Sequence, residues 1–200
     1  MSVADKHAKE KWDRIYTKTD PDVIPAACEV LVEFQHLLPP SGTALDVACG
    51  LGGNTLFLAE HHLNVTATDI SSVAVERINQ WQNPLVTTRC AAIDSLLMQQ
   101  VNYDVIVVSR YLDRNICDAL AAALRSKGLL FYQTFIRDKV NCDEGPSNPD
   151  YLLASNELLT LFSTLKVLAF SDQGKTGTLS SGFRNQSYLC LLYTSDAADE

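Results

Sequence analysis

The sequence predicts an α/β fold: a doubly wound sheet of seven strands, mostly parallel with an antiparallel last strand, preceded by a helical N-terminal segment. Three observations predict it. From residue 43 onward, apolar runs of strand length alternate with stretches of helical periodicity, the pattern of strands joined by crossover helices. One run, YDVIVVS (103–109), is apolar almost throughout, as a strand covered on both faces has to be. A glycine-rich turn, CGLGGN (49–54), separates the first strand from its helix.

The elements follow in order. Residues 4–17 are charged and place Trp12 and Tyr16 on one face of a short helix. Pro21 and Pro25 then break the chain. Residues 26–38 repeat Ala27, Val30, Leu31, Phe34, Leu37 and Leu38 at helical spacing, and Pro39, Pro40 and Gly42 stop that helix. TALDVA (43–48) is the first strand and NTLFLAEHH (54–62) the helix after it. NVTATDI (64–70) is a β-branched second strand reaching Asp69, and Ser71 or Ser72 caps the helix in SSVAVERINQWQ. PLVTTRCAAID (84–94) and YDVIVVS are the third and fourth strands. NICDALAAALRSKG (115–128) reads as a helix closed by Gly128, and LLFYQTFI (129–136) as the fifth strand. RDKVNCDEGPSNPD (137–150) is a polar loop, and ASNELLTLFS is helical with Ser155 as its N-cap. TLKVLAFSD (164–172) and FRNQSYLCLLY (183–193), joined by the polar QGKTGTLSSG, are two final strands expected to pair antiparallel.

Composition narrows the function classes. The chain has 200 residues, 46% apolar and 20% charged, which fits one domain with its own core. No apolar run reaches the length of a membrane span. The first residues, MSVADKHAKEKWDR, lack the apolar core of a secretory signal, so a cytoplasmic location is expected. Sixteen Lys and Arg against 24 Asp and Glu give a formal charge of −8 without a basic cluster, which speaks against nucleic acid as a partner. The six cysteines (Cys28, Cys49, Cys90, Cys117, Cys142 and Cys190) form no C-x-x-C pair and are expected to be reduced. His61 and His62 have no carboxylate cluster beside them, so no metal site is expected. The acidic end of CLLYTSDAADE is unlike the rest and reads as translated adapter sequence, so 191–200 is expected to be a non-native tail.

The strongest chemical signal is ALDVACGLGGNT (44–55), where a strand delivers Asp46 into the glycine turn and a helix starts near Gly53. Gly50 and Gly52 let a ligand approach the backbone, and the helix start directs free N–H groups at a carboxylate or phosphate. A dinucleotide fingerprint, G-x-G-x-x-G, is incomplete because Thr55 stands at its third glycine. Asp69 ends the second strand, where a carboxylate accepts both hydroxyls of a ribose, and Asp94 follows the third, where one accepts from an adenine amino group. Each acid alone suits a solvated strand end. All of them at successive strand ends behind a glycine turn mark the ligand crevice of a Rossmann-like fold.

With those residues in place, the chain resembles class I S-adenosylmethionine-dependent methyltransferases. ALDVACGLGGNT is similar to the family's first motif, with Asp46, Ala48, Gly50 and Gly52 at its acidic and glycine positions and Ala48 replacing the first glycine. VTATDIS, AAID, YDVIVVS and KGLLFYQTF match the following strands. KWDRIY, LLPPSG and SRYLDR further resemble bacterial methyltransferases of the tellurite-resistance type, in which an N-terminal helix folds over the cofactor. The resemblance implies S-adenosyl-L-methionine as cofactor. It also implies a cofactor site of Tyr16, Asp46, Ala48, Cys49, Gly50, Gly52, Asn54, Asp69, Ile70, Ile93, Asp94, Ser109 and Arg110. Residues 1–40 become a helical lid with the first helix, and 41–190 the methyltransferase core. Trp12 and Tyr16 either form part of the lid or simply pack their helix onto the domain.

The implied reaction moves a sulfonium methyl group in line to a small acceptor such as a thiol or a metalloid oxyanion. Trp12, Tyr16, Arg110, Tyr111 and Arg184 are candidate acceptor contacts, with an Arg110–Asp113 ion pair and a hairpin-surface Arg184 as the structural alternatives. No residue is assigned as a general base. The expected partner is a small molecule, and the expected state a monomer or homodimer. An NAD-type oxidoreductase and a non-catalytic cofactor-binding module are the competing readings.

Overall fold

The structure, a computed structural model, describes residues 2–93 and 102–194. A seven-stranded sheet runs in the order β3-β2-β1-β4-β5-β7-β6. Its strands are β1 (Gly42–Val47), β2 (Leu63–Asp69), β3 (Val86–Cys90), β4 (Tyr103–Ser109), β5 (Leu124–Phe135), β6 (Lys166–Ser171) and β7 (Gln186–Leu192). β1 to β5 pair parallel, and β7 lies antiparallel between β5 and β6. The expected topology therefore holds, and β6 points the same way as the first five strands, with β7 alone reversed.

Period-two alternation gives the sheet two buried faces. Leu45, Val47, Ile106, Val108, Leu130 and Tyr132 face one cluster, with α5 (Cys117–Ala122) and α6 (Glu157–Leu161). Ala44, Val65, Val105, Val107, Leu129 and Phe131 face the other, with α2 (Glu29–Glu33) and α3 (Gly53–Glu60). Two further helices, α1 (Val3–Lys18) and α4 (Ser72–Asn79), lie together at the β2–β3 side. Ser2 opens α1 with a capping box, its Oγ accepting from Asp5 N while Asp5 Oδ2 accepts from Ser2 N.

Several boundaries differ from the sequence reading. The helix expected over 26–38 is only α2, followed by a 3₁₀ turn at Gln35–Leu37. Cys28 N and Val30 N are taken by the side chains of Asn54 and Gln133, so the chain enters the helix late. The helix expected to run to Gly128 stops at Ala122, because Tyr103 N bonds Ala123 O and draws Leu124 into the sheet. Gly128 is then a strand residue at a register shift, where a Cβ would press on the carbonyls of Arg125 and Tyr103. Asn156, not Ser155, is the N-cap of α6, and it does so in a left-handed conformation without a side-chain bond. Leu191 and Leu192, assigned above to the tail, continue β7 opposite Leu130 and Leu129, and Leu191 is buried.

Candidate active site

The glycine turn is hung on the end of β2. Cys49 N donates to Thr68 O at 2.9 Å and Gly50 N to Asp69 Oδ2 at 2.8 Å. Ala48 (φ 52°) and Gly50 (φ 53°) both take left-handed backbone, which explains why the resembled motif places glycine at these positions. Gly52 also has positive φ (82°) and starts α3 without a side-chain cap. A Cβ there would strike Trp81 and Ile78, so this glycine serves packing and does not line the cavity beside the turn. Gly53 lets the Pro25 and Ala26 carbonyls cross over the start of α3.

Two carboxylates anchor the site differently. Asp46 is fully buried; its Oδ2 accepts from Thr55 Oγ1 at 2.6 Å, and its Oδ1 has no partner among the described residues. Burial raises it to about 7, opposed first by the hydrogen bond from Thr55 and then by the nearby Asn54 amide. Asp46 thus supports the turn from behind. Asp69 faces the cavity, its Oδ1 accepting from Ser71 N and its Oδ2 from Gly50 N, both at 2.8 Å. Burial raises it too, and the amides of Ser71 and Gly50 hold it back. Each of its oxygens keeps lone-pair capacity for a ligand hydroxyl.

A cavity of about 420 Å³ opens over these strand ends. Its floor is Ala48, Cys49 and Gly50 with Asn54, and one wall is Asp69, Ile70 and Ala91 to Ile93. Ser109, Arg110 and Tyr111 form the opposite wall. The roof is α1, whose residues Asp5, Ala8, Trp12 and Tyr16 make one stripe at helical spacing. The Trp12 and Tyr16 rings stack with centroids 5.5 Å apart, and the Tyr16 hydroxyl stands over Gly50. Burial pushes that hydroxyl well up, helped by Asp69 and Cys49.

Polar bonds hold the roof. Asp13 Oδ1 accepts from Ser71 Oγ at 2.6 Å, and Lys9 Nζ donates to Asp13 and to Ser72 Oγ at 2.6 Å each. Arg77 donates to the carbonyls of Tyr16 and Thr19 at 2.7 and 2.8 Å, closing the C-terminal end of α1.

The structure thus brings most of the expected site residues to one cavity, and corrects some. Asp46 and Gly52 lie behind the turn. Asp94 lies outside the described residues. Arg184 lies outside the cavity, because its guanidinium donates to the carbonyls of Ser181, Gln173, Gly174, Thr176 and Thr178 and shapes that loop. Arg110 takes φ 54°, donates its N–H to Gln133 O and has no ion pair with Asp113 among the described residues. Asp113 instead accepts from Asn115 N. Burial lifts the Tyr111 hydroxyl to about 12, with Asp113 and Asp5 adding to it.

Sequence reasoning missed Asp5, Pro25, Ala26 and Cys28 as lining. Cys28 N donates to Asn54 Oδ1 and Asn54 Nδ2 to Ser109 Oγ, a link that only the folded chain creates. No group of three or more metal-binding side chains occurs among the described residues. No helix among them is long and apolar enough to cross a membrane.

Comparisons with known proteins agree with this geometry. Residues 44–128 match the family described as Methyltransferase domain. Over 89 residues the chain is 34% identical to 2-methyl-6-phytyl-1,4-hydroquinone methyltransferase of Synechocystis sp., a match covering 40% of this chain but only 28% of that relative. A SAM-dependent methyltransferase from Aquifex aeolicus superposes with TM-score 0.64 at 14% identity, over 92% of this chain and 97% of the other. TehB from Haemophilus influenzae does so with TM-score 0.63 at 20% identity, over 92% of this chain and 66% of the other. Residues 44–128 are thus similar to a methyltransferase domain, and the fold is that of solved S-adenosylmethionine-dependent methyltransferases, whose cofactor is S-adenosyl-L-methionine. The residues present fit that cofactor. The uncapped start of α3 suits a carboxylate, the left-handed turn at Gly50 leaves the backbone open, and Asp69 faces the same cavity.

Proposed function

We propose that the protein moves the methyl group of S-adenosyl-L-methionine to a small acceptor, with α1 as a lid over the reaction. One observation carries this reading: the turn, Asp69 and the α1 stripe line a single cavity. When bound, the cofactor supplies an activated sulfonium methyl group. The chain's own residues then bind, orient and exclude water. Asp69 accepts the ribose hydroxyls, the start of α3 receives the amino-acid carboxylate, and Ala91 to Ile93 border the base. Trp12 and Tyr16 close the cavity from above, which keeps the acceptor in line with the methyl group.

Arg110 and Tyr111 face the acceptor. Arg110 holds a strained left-handed backbone at the cavity wall, the kind of outlier that marks functional positions. The Tyr111 hydroxyl, held protonated near neutral pH, donates a hydrogen bond instead of taking a proton. This pairing favours acceptors that arrive as anions, a thiolate or a metalloid oxyanion, as in the tellurite-resistance type. A cytoplasmic monomer or homodimer fits the reading.

Isothermal titration with S-adenosylhomocysteine, S-adenosylmethionine and NAD tests the site, followed by methyl transfer to thiols and to tellurite. Asp69→Ala should weaken cofactor binding by about 1–3 kcal/mol in a folded variant. Unchanged affinity shows that Asp69 does not hold the ribose, and NAD binding without S-adenosylmethionine binding overturns the reading.

A further inference from the structure

One of the bonds that hold α1 comes from Ser71, which also bonds Asp69 of the cavity wall. Ser71 is buried and bonds in both directions. Its backbone N donates to Asp69 Oδ1 at 2.8 Å, and its hydroxyl donates to Asp13 Oδ1 of α1 at 2.6 Å. The same hydroxyl caps α4 by accepting from Ala74 N at 3.3 Å. Val73 N also points at Asp13, at 3.4 Å, so the lid's carboxylate sits on the first turn of α4. Arg77, a separate attachment of α1, bonds backbone carbonyls and does not line the cavity.

We propose that Ser71 is a positioning residue that couples a ligand on Asp69 to closure of α1. The proposal rests on the cavity being the cofactor site and α1 its lid. α1 fully buries no residue, its inner stripe with Tyr16 being only half-buried, so its docked state leans on a few polar bonds. A ligand that bonds Asp69 fixes the carboxylate, and with it the amide of Ser71 and the direction of the Ser71 hydroxyl. The bond to Asp13 is then made more often, and α1 spends more time closed. Linkage makes the effect reciprocal: a closed α1 holds Asp69 ready for the ligand.

Hydrogen exchange of the α1 amides in the full chain, with and without S-adenosylhomocysteine, reads the coupling. In the wild type the ligand should slow exchange by roughly 5-fold or more, the lower end of ordinary coupling between sites. Ser71→Ala should still bind the ligand in titration calorimetry but lose most of that slowing, and Ser71→Thr should restore it. Asp13→Ala breaks the same link while leaving Ser71 as the cap of α4, and should match Ser71→Ala. Arg77→Ala should speed exchange in both states and keep their ratio. A wild-type ratio in both Ser71→Ala and Asp13→Ala overturns the coupling. So does ligand that binds the wild type without slowing α1, although the cofactor reading then stands. Failure of the ligand to bind at all overturns both.

Discussion

α1 and α3 border the same cavity and are held in opposite ways. α3 has 8 residues and buries Asn54, Thr55, Leu58 and Ala59 against the sheet. α1 has 16 residues, none fully buried, with Tyr16 and its neighbours on the inner stripe half-buried. Its polar attachments are hydrogen bonds, from Lys9 to Ser72, between Asp13 and Ser71, and from Arg77 to the carbonyls of Tyr16 and Thr19. The difference teaches that the cavity has a fixed floor and a detachable roof. Apolar burial makes the floor part of the global fold, whereas polar bonds of modest net value let the roof open at little cost to the rest.

The largest expected effect comes from breaking the floor. Leu58→Ala removes a fully buried side chain under the turn and should cost about 2–5 kcal/mol in denaturant unfolding. A loss well below that range would show α3 to be as loosely held as α1. Next is the buried acid of the floor. Asp46 has a folded-state value near 7, above its ordinary carboxylate value, so the protonated form favours the fold. That stability is whole below the ordinary value and is lost as pH rises toward 7. Without cofactor, thermal stability should therefore fall over that window, and Asp46→Asn should flatten the fall, a difference on the order of a few kcal/mol.

Breaking the roof should do less. Arg77→Ala should lower global stability by only about 1 kcal/mol. It should nevertheless expose Lys18 to trypsin much faster, a contrast that limited proteolysis and unfolding curves measure together. The smallest effect sharpens the floor itself. Ala48→Gly relieves a left-handed alanine, and the added freedom of the unfolded chain offsets part of the gain. The melting temperature should rise slightly, by the equivalent of no more than about 1 kcal/mol.

The sequence carried the floor further than the roof. The first five strands and their parallel direction followed from apolar runs such as YDVIVVS alternating with helices, because burial on both faces leaves its mark on consecutive residues. Asp69 and the glycine turn were legible for the same reason, since strand end, turn and helix start are adjacent along the chain. Gly128 misled because glycine suits a helix C-cap and a strand irregularity equally, and only the Tyr103 N to Ala123 O bond decides between them. Arg184 misled because its carbonyl partners are backbone and leave no pattern in the sequence. The Asp13–Ser71 bond joins residues 58 positions apart, so nothing local announces it.

The placement of β7 has a consequence for synthesis. β6 is made before β7 but lies outside it, at the edge of the sheet. While the ribosome is still adding residues 186–192, β5 has no neighbour on that side, and β6 has nothing in the sheet to pair with. The nascent chain therefore carries an open slot bordered by the apolar residues of β5, a hazard for pairing with other chains. The slot closes only when the reversed strand slides in between, joining β6 to the rest of the sheet in one late step.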